Sequence, residues 1–335
     1  MLDHRYWHKF FGAAELKENS YMEIANRKYV FKNGLLRQCD LYSSDQEQTK
    51  QTFGFKWRRR DTYESNFVQE NGRSWLIERY LKNDVGKMLE LIPPGSRVLD
   101  AGCGSGYSAL LFFGEYINKL KYLGVDISGA VDVAKERLEE RGIRGEFLQA
   151  DLSTLPFEKP AFDVIFSEGV LHHTDDPEKT FKKLCELLFP GGRFFFYVYK
   201  KKGPIREYTD DYIREYLHGM TDEEAWKALM PLTELGKALG DLEVKVRVPK
   251  EISFLNIPAG EIEIQRLFYW HVFKAFYRPG WSYDEMNHIN FDWYRPKNCY
   301  RYTTTEIRSW CDSTDMEIEH MDVQESGITV IARRR

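Results

Sequence analysis

The chain has little cysteine and arranges none of it for covalent or metal work. Cys39, Cys103, Cys185, Cys299 and Cys311 are odd in number, widely spaced and without a CxxC pair. That pattern excludes a disulfide framework and a cysteine-rich zinc site, and it fits a reducing compartment. Long apolar runs are missing too, none approaching the ~18 residues of a membrane helix. The opening MLDHRYWHKFF has neither a hydrophobic signal core nor a small-residue cleavage site. A cytoplasmic protein without membrane insertion is expected. Charge of one sign is also lacking, since 48 basic residues face 52 acidic ones for a net charge of −4. No global field draws the chain to nucleic acid, so no nucleic-acid partner is expected.

Aromatic residues, by contrast, are plentiful. They make up 15% of the 335 residues, within 42% hydrophobic residues overall. A chain this long and apolar can bury a substantial core, and its length allows one elaborated domain or two. The eight tryptophans all lie outside residues 81–200. The chain therefore has a centre built on Phe and aliphatics, and two flanks of different character.

The centre alternates short apolar runs with helical patterns. SRVLDAG (96–102) follows the turn cluster Pro93-Pro94-Gly95 and reads as a buried strand. A helix is expected over 106–120, and a second strand over 121–127. A helical pattern then runs from Ser128, with Val131, Ala134 and Leu138 on one stripe, to Gly142. Residues 146–152 and 162–170 supply two more strands. Asp176 before Pro177 is an N-cap with proline at the first helical position. Phe181, Leu184, Cys185 and Leu188 form the stripe of that helix, closed by Pro190-Gly191-Gly192. GRFFFYVY (192–199), apolar on both faces, suits an internal parallel strand. Five strands with intervening helices define an open, doubly wound α/β sheet.

Ligands of such sheets sit at the carboxyl ends of the strands, beside the point where strand order reverses. There the first strand runs into Asp100-Ala101-Gly102-Cys103-Gly104-Ser105-Gly106, an acid followed by G-x-G-x-G. Glycines allow a tight turn and close backbone approach to a ligand at a helix N-terminus. A dinucleotide fingerprint needs G-x-G-x-x-G, and here position 107 is Tyr. This spacing disfavours the alternative of an NAD(P)-dependent oxidoreductase. Asp100 suits a ligand that carries an amino group. Asp126 ends the second strand, where an acid can accept hydrogen bonds from ribose hydroxyls, and Asp151 ends the third, where one can accept from an adenine amine. One glycine turn alone is often only a tight connection. Three acids at three successive strand ends outweigh that reading.

VLDAGCGSGYSA, YLGVDIS, LQADLSTLPF, FDVIFSEGVLHH and LFPGGRFFF together resemble the successive motifs of class I S-adenosylmethionine-dependent methyltransferases. The most similar subgroup contains the ubiquinone- and menaquinone-biosynthesis small-molecule methyltransferases. The resemblance implies a Rossmann-like, seven-stranded sheet whose last strand is antiparallel, with S-adenosylmethionine as cofactor. It implies that Asp100 and the Gly102, Gly104, Gly106 turn hold the methionine part of the cofactor. Asp126 would bind the ribose, Ile127 pack on adenine, Asp151 and Leu152 meet the adenine edge, and Ser167 add backbone contacts. MEIEHMDV (316–323) and GITVIARR (327–334) fit the closing strand pair, after a helix opened by the capping box Thr303–Glu306. The loop after the fourth strand, Glu168 to His173, offers a base. His172 is the named candidate, with a purely structural histidine as the alternative. A non-catalytic cofactor-binding protein on the same fold is the remaining alternative.

Three segments follow: an N-terminal extension over 1–74, the methyltransferase domain over 75–200 and 303–335, and an insertion over 201–302. Thr221 and Glu224 form a capping box for a helix that Pro231 should kink or break, with Leu232, Leu235 and Leu239 on a second short one. Fourteen aromatics lie between Phe254 and Tyr302. They can line a cavity for an apolar or ring-shaped acceptor, or form a satellite core or dimer surface. Arg58-Arg59-Arg60 can meet an anion or simply face solvent. His271, His288 and Asp292 lack ligand spacing, so no metal is expected. Both flanks are expected to close over the site as a lid, around a small-molecule methyl acceptor.

Overall fold

The computed structural model describes residues 6–12, 16–157 and 159–335; residues 1–5 of the N-terminal run lie outside them. The chain opens with α1 (Tyr6–Phe10) and a meander of β1 (Tyr21–Ile24), β2 (Arg27–Lys32) and β3 (Leu35–Gln38). Then come α2 (Ser44–Arg58), α3 (Asn66–Leu81) and α4 (Lys87–Leu91). The alternating centre is β4 (Arg97–Ala101), α5 (Tyr107–Phe112), β5 (Lys121–Asp126), α6 (Ala130–Glu140), β6 (Glu146–Gln149), β7 (Phe162–Glu168), α7 (Pro177–Glu186) and β8 (Leu188–Tyr199). The insertion holds α8 (Pro204–Leu217), α9 (Asp222–Asp241), the hairpin β9 (Lys245–Val248) and β10 (Gly260–Glu263), α10 (Ile264–His271) and α11 (Tyr283–Tyr294). The chain closes with α12 (Thr304–Asp312), β11 (Met316–Val323) and β12 (Gly327–Arg334).

One mixed sheet runs through the molecule in the order β1-β2-β3-β6-β5-β4-β7-β8-β12-β11. Strands β6, β5, β4, β7 and β8 are parallel, while β12 is antiparallel to both β8 and β11. Strand order reverses at β4, which puts the glycine turn at the switch point. The expected seven strands become ten, because the N-terminal meander extends the sheet instead of standing apart from it. Strand β3 pairs with β6 at Leu36↔Leu148 and Arg37↔Gln149. Arg37 locks the seam by donating to Asp132 at 2.6 Å and to Gln149 at 2.8 Å.

Burial follows the strand alternation. Phe194, Phe196 and Val198 of β8 join Leu99, Ile165, Phe181 and Trp310 in one core layer. Phe195 points to the other face, where Val98, Phe112, Phe166 and Leu76 of α3 lie. Tyr197 and Tyr199 belong to a third cluster with Trp226, Phe291 and Trp293, so the insertion is welded to the end of β8.

Several local expectations change. The helix expected over 106–120 stops at Phe112, because Gly114 takes φ +55 and a 3-10 turn follows. Strand β6 ends at Gln149, so Asp151 lies beyond the strand and caps a short turn by accepting from Ser153 N–H at 2.7 Å. Helix α9 runs unbroken through Pro231. Pro231 and Lys227, whose carbonyl the missing N–H frees, both face solvent, so water can satisfy that carbonyl. The same geometry leaves Leu235 exposed at 43% instead of on a buried stripe. Among the described residues no helix is long and apolar enough to cross a membrane.

Candidate functional site

The glycine turn is shaped by backbone demands that only glycine meets here. Gly102, Gly104 and Gly106 all adopt positive φ, at +87, +51 and +68. A Cβ on Gly102 would strike Val170 Cγ1 at 2.2 Å, and one on Gly104 would strike the Trp57 indole Nε1 at 2.7 Å. The turn is thus covered by a tryptophan from α2, in the N-terminal flank. Asp126 holds it from the other side. Its Oδ2 accepts from Gly104 N–H at 2.9 Å, and its Oδ1 accepts from Ser128 N–H at 2.8 Å and Ser128 Oγ–H at 2.7 Å. A carboxylate offers about four acceptor positions, so three are spent on the turn and roughly one remains for a ligand hydroxyl. Burial raises the Asp126 carboxyl, against those hydrogen bonds. Asp100 is more enclosed, accepting from Tyr122 Oη–H at 2.6 Å, and burial pushes it up to about 7.

A cavity of about 520 Å³ opens at the ends of β4, β5 and β6. Its floor is Gly102, Asp126, Ile127, Asp151 and Leu152. Asp151 is braced by the added strand, since Gln38 Oε1 accepts its N–H at 2.9 Å. Phe53, Lys56, Trp57 and Tyr63 from the N-terminal flank form one wall, and Tyr269, Trp270, Trp281 and Trp293 from the insertion form another. The aromatic density of the insertion therefore serves both of its expected roles, lining a cavity and building a satellite core.

The structure brings together five of the predicted site residues on the cavity surface: Gly102, Asp126, Ile127, Asp151 and Leu152. Asp100, Gly104, Gly106 and Ser167 lie behind that surface. Ser167 is fully buried, and its Oγ–H donates to Ala101 O at 2.9 Å. His172 is not brought to the cavity. It is wholly buried, its ring 3.8 Å from that of Tyr199, and neither ring nitrogen finds a partner among the described residues. Its neighbour His173 lines the cavity instead. His173 Nδ1 pairs with Asn298 O at 2.6 Å, so Nδ1 carries the proton, and Nε2 is left with a free lone pair. Burial pushes the His173 imidazole down to about 4, against the pull of Asp292.

Asp292 is the polar centre of the far wall. It ion-pairs with Lys56 and accepts from Tyr199 Oη–H at 2.6 Å. Burial would raise its carboxyl, yet Lys56, His173 and Lys274 hold it well below the usual range. Glu168, at the end of β7, is clamped by Arg79 at 2.5 Å and by Tyr80 Oη–H at 2.7 Å. Sequence spacing could not disclose these pairs, because each partner lies on a different element far along the chain. The arginine run meets neither expectation in full. Arg58 faces solvent, Arg59 lies 4.0 Å over the Trp226 ring, and Arg60 forks onto Glu140 at 2.6 and 2.8 Å.

A family profile described as a methyltransferase domain matches residues 99–196. The ubiquinone biosynthesis O-methyltransferase of Coxiella burnetii is 32% identical over 145 residues, covering 38% of this chain and 60% of that protein. Phosphoethanolamine N-methyltransferase 1 of Arabidopsis thaliana is 28% identical over 142 residues, covering 42% of this chain and 28% of that one. The chain thus spans less than two thirds of the length of these curated relatives. Among solved structures, magnesium protoporphyrin IX methyltransferase from Synechocystis, with bound SAM, aligns over 89% of this chain and 100% of its own at 15% identity and TM-score 0.44. The matched segment begins on β4 and ends on β8, taking in the glycine turn and the floor of the cavity. Residues 99–196 thus match a methyltransferase domain of the class I S-adenosylmethionine-dependent kind, whose cofactor is S-adenosylmethionine.

Proposed function

We propose that this protein transfers a methyl group from S-adenosylmethionine to a small-molecule acceptor with an apolar or ring-shaped body. In this reading residues 75–200 and 303–335 are the cofactor domain, and the 201–302 insertion forms a lid with the part of the 1–74 extension that follows its β1–β3 meander. The observation that carries it is the continuity of one cavity, from the cofactor-type floor at Gly102, Asp126 and Asp151 to the aromatic wall at Trp270, Trp281 and Trp293. When bound, S-adenosylmethionine supplies an electrophilic methyl group on a sulfonium centre.

The chain's own residues then have distinct tasks. The glycine turn admits close backbone approach, and Asp126 and Asp151 orient the nucleoside by accepting hydrogen bonds. Trp57, Phe53 and Tyr63 exclude water above the turn, which strengthens the polar contacts inside. His173 Nε2, unprotonated and unpartnered, holds the proton that an acceptor hydroxyl or amine gives up. Asp292 and Lys56 fix the charge pattern beside it. His172 supports Tyr199 from below, without reaching the acceptor.

The test is calorimetric titration of the full chain with S-adenosylmethionine and with NADH, followed by labelled methyl transfer to a panel of phenols, amines and thiols. Binding of S-adenosylmethionine with label incorporated into a panel member is expected. Tight NADH binding without S-adenosylmethionine binding would overturn the reading. Cofactor binding with no transfer to any acceptor would favour a non-catalytic role.

A further inference from the structure

The insertion brings an unusual set of cations into the cavity. Lys274 is only 7% exposed, lines the cavity, and its ammonium has no hydrogen-bond or ion-pair partner among the described residues. It lies over the face of Trp293, 4.7 Å from the ring centroid, and Asp292 acts on it electrostatically. Arg206, 1% exposed, sends Nε to Asp210 and Nη1 to Tyr269 O, and among the described residues Nη2 has no hydrogen bond. Lys202 reaches the same wall, held by Ser326 O at 3.0 Å and by Glu325 O, with the Trp270 ring 5.6 Å away. A buried ammonium without an acceptor is costly, so an oxyanion placed here would satisfy an existing need.

We propose that Lys274, Arg206 and Lys202 form a subsite for an oxyanion, a carboxylate or a phosphate, carried by the methyl acceptor. The acceptor is then an acidic aromatic or apolar compound, with its ring among Tyr269, Trp270 and Trp293. This inference rests on the methyltransferase reading for the role of the ligand, but not for the presence of the subsite. Charge coupling within the group supports it. Burial, then Arg206, Lys200 and Lys274, push Lys202 down to about 7 against Glu325. Burial and Arg206 push Lys274 down to about 7, against Asp292, Asp210 and the Cys299 thiol. An arriving anion would restore the charge of both lysines.

Binding to the full chain is measured by calorimetry with benzoate, phenyl phosphate and neutral benzamide, and with S-adenosylmethionine as the check on folding. Benzoate or phenyl phosphate should bind about tenfold or more tightly than benzamide, as expected for charge-assisted hydrogen bonds. Lys274→Met should abolish that preference while leaving S-adenosylmethionine affinity intact, and Lys202→Met should reduce it. Benzoate itself stays ionised well above about pH 5. In the native chain its affinity should therefore fall severalfold from about pH 6 to about pH 9, as the lysines lose their protons. That readout does not depend on any variant folding. Equal binding of benzamide and the two anions, or a flat pH profile, would overturn the subsite. No anion selection by the native chain, with its cofactor binding present, overturns this inference alone. Anion selection without S-adenosylmethionine binding overturns the functional reading alone.

Discussion

Asp126 does more than line the cavity, since three of its acceptor positions already bind Gly104 and Ser128. Asp126→Asn should therefore loosen the turn and the nucleoside site together, raising the S-adenosylmethionine dissociation constant by about tenfold or more. Calorimetry checks this, and unchanged affinity would remove Asp126 from the cofactor site. The two histidines separate by kinetics. His173→Ala should lower kcat about 100-fold or more with little change in cofactor affinity, as loss of a positioned base does. His172→Phe, which keeps a ring against Tyr199, should lower kcat far less. The opposite ranking would return the proton-accepting role to His172. Sequence could name this His-His pair but not choose between its members. The choice is made by Asn298, whose carbonyl fixes His173, and by Tyr199, which covers His172. The first contact spans 125 positions and the second joins the loop after β7 to the end of β8, so neither shows in a local pattern.

Elements were legible wherever a signal was local. The capping boxes at Thr221 and Thr303 form as read, each with its Glu reaching back to the cap, and Asp176 accepts from Lys179 N–H. The order and type of β4 to β8 likewise follow from apolar runs between turn residues. Elements whose form depends on surroundings were not legible. Strand β3 acquires its place from Arg37 reaching Asp132, and α5 ends early because Gly114 turns left-handed. In α9 the proline penalty is overridden by the buried face of Trp226, Leu229, Thr233 and Gly236, with Asn290 Nδ2 donating to Thr233 Oγ1 at 2.8 Å. Pro231→Ala should supply the missing N–H to the Lys227 carbonyl without disturbing that face. Stability should then rise by about 1–2 kcal/mol, the helix-interior cost of proline less the entropy it removes from the unfolded chain. Urea denaturation measures it, and a loss of stability would show that the rigid proline backbone is needed for the fit of α9 on α11.

At the scale of the whole molecule, the buried charges give stability an uncommon dependence on pH. Lys202 and Lys274 titrate near 7 in the folded chain against 10.5 as free side chains. Above pH 7 the unfolded state therefore binds more protons, and stability rises with pH. His173, pushed down to about 4 from 6.5, acts in the same direction over its lower window. Asp100, pushed up to about 7 from 3.8, acts oppositely, because the folded chain holds its proton longer; that term is complete once pH passes 7. Burial raises the Cys103 and Cys185 thiols, so they oppose the lysines only where free thiols begin to ionise, near about pH 8.5. Between pH 7 and about 8.5 the two lysines govern the balance. Thermal unfolding in a non-binding buffer should accordingly show Tm rising across that interval. Lys274→Met should flatten the rise, and saturating benzoate should raise Tm more at the lower end than at the upper. A native chain whose Tm falls across the same interval would mean that these ammonium groups are solvated or paired in solution. The wall that gives the cavity its cationic character would then be open rather than closed over the site.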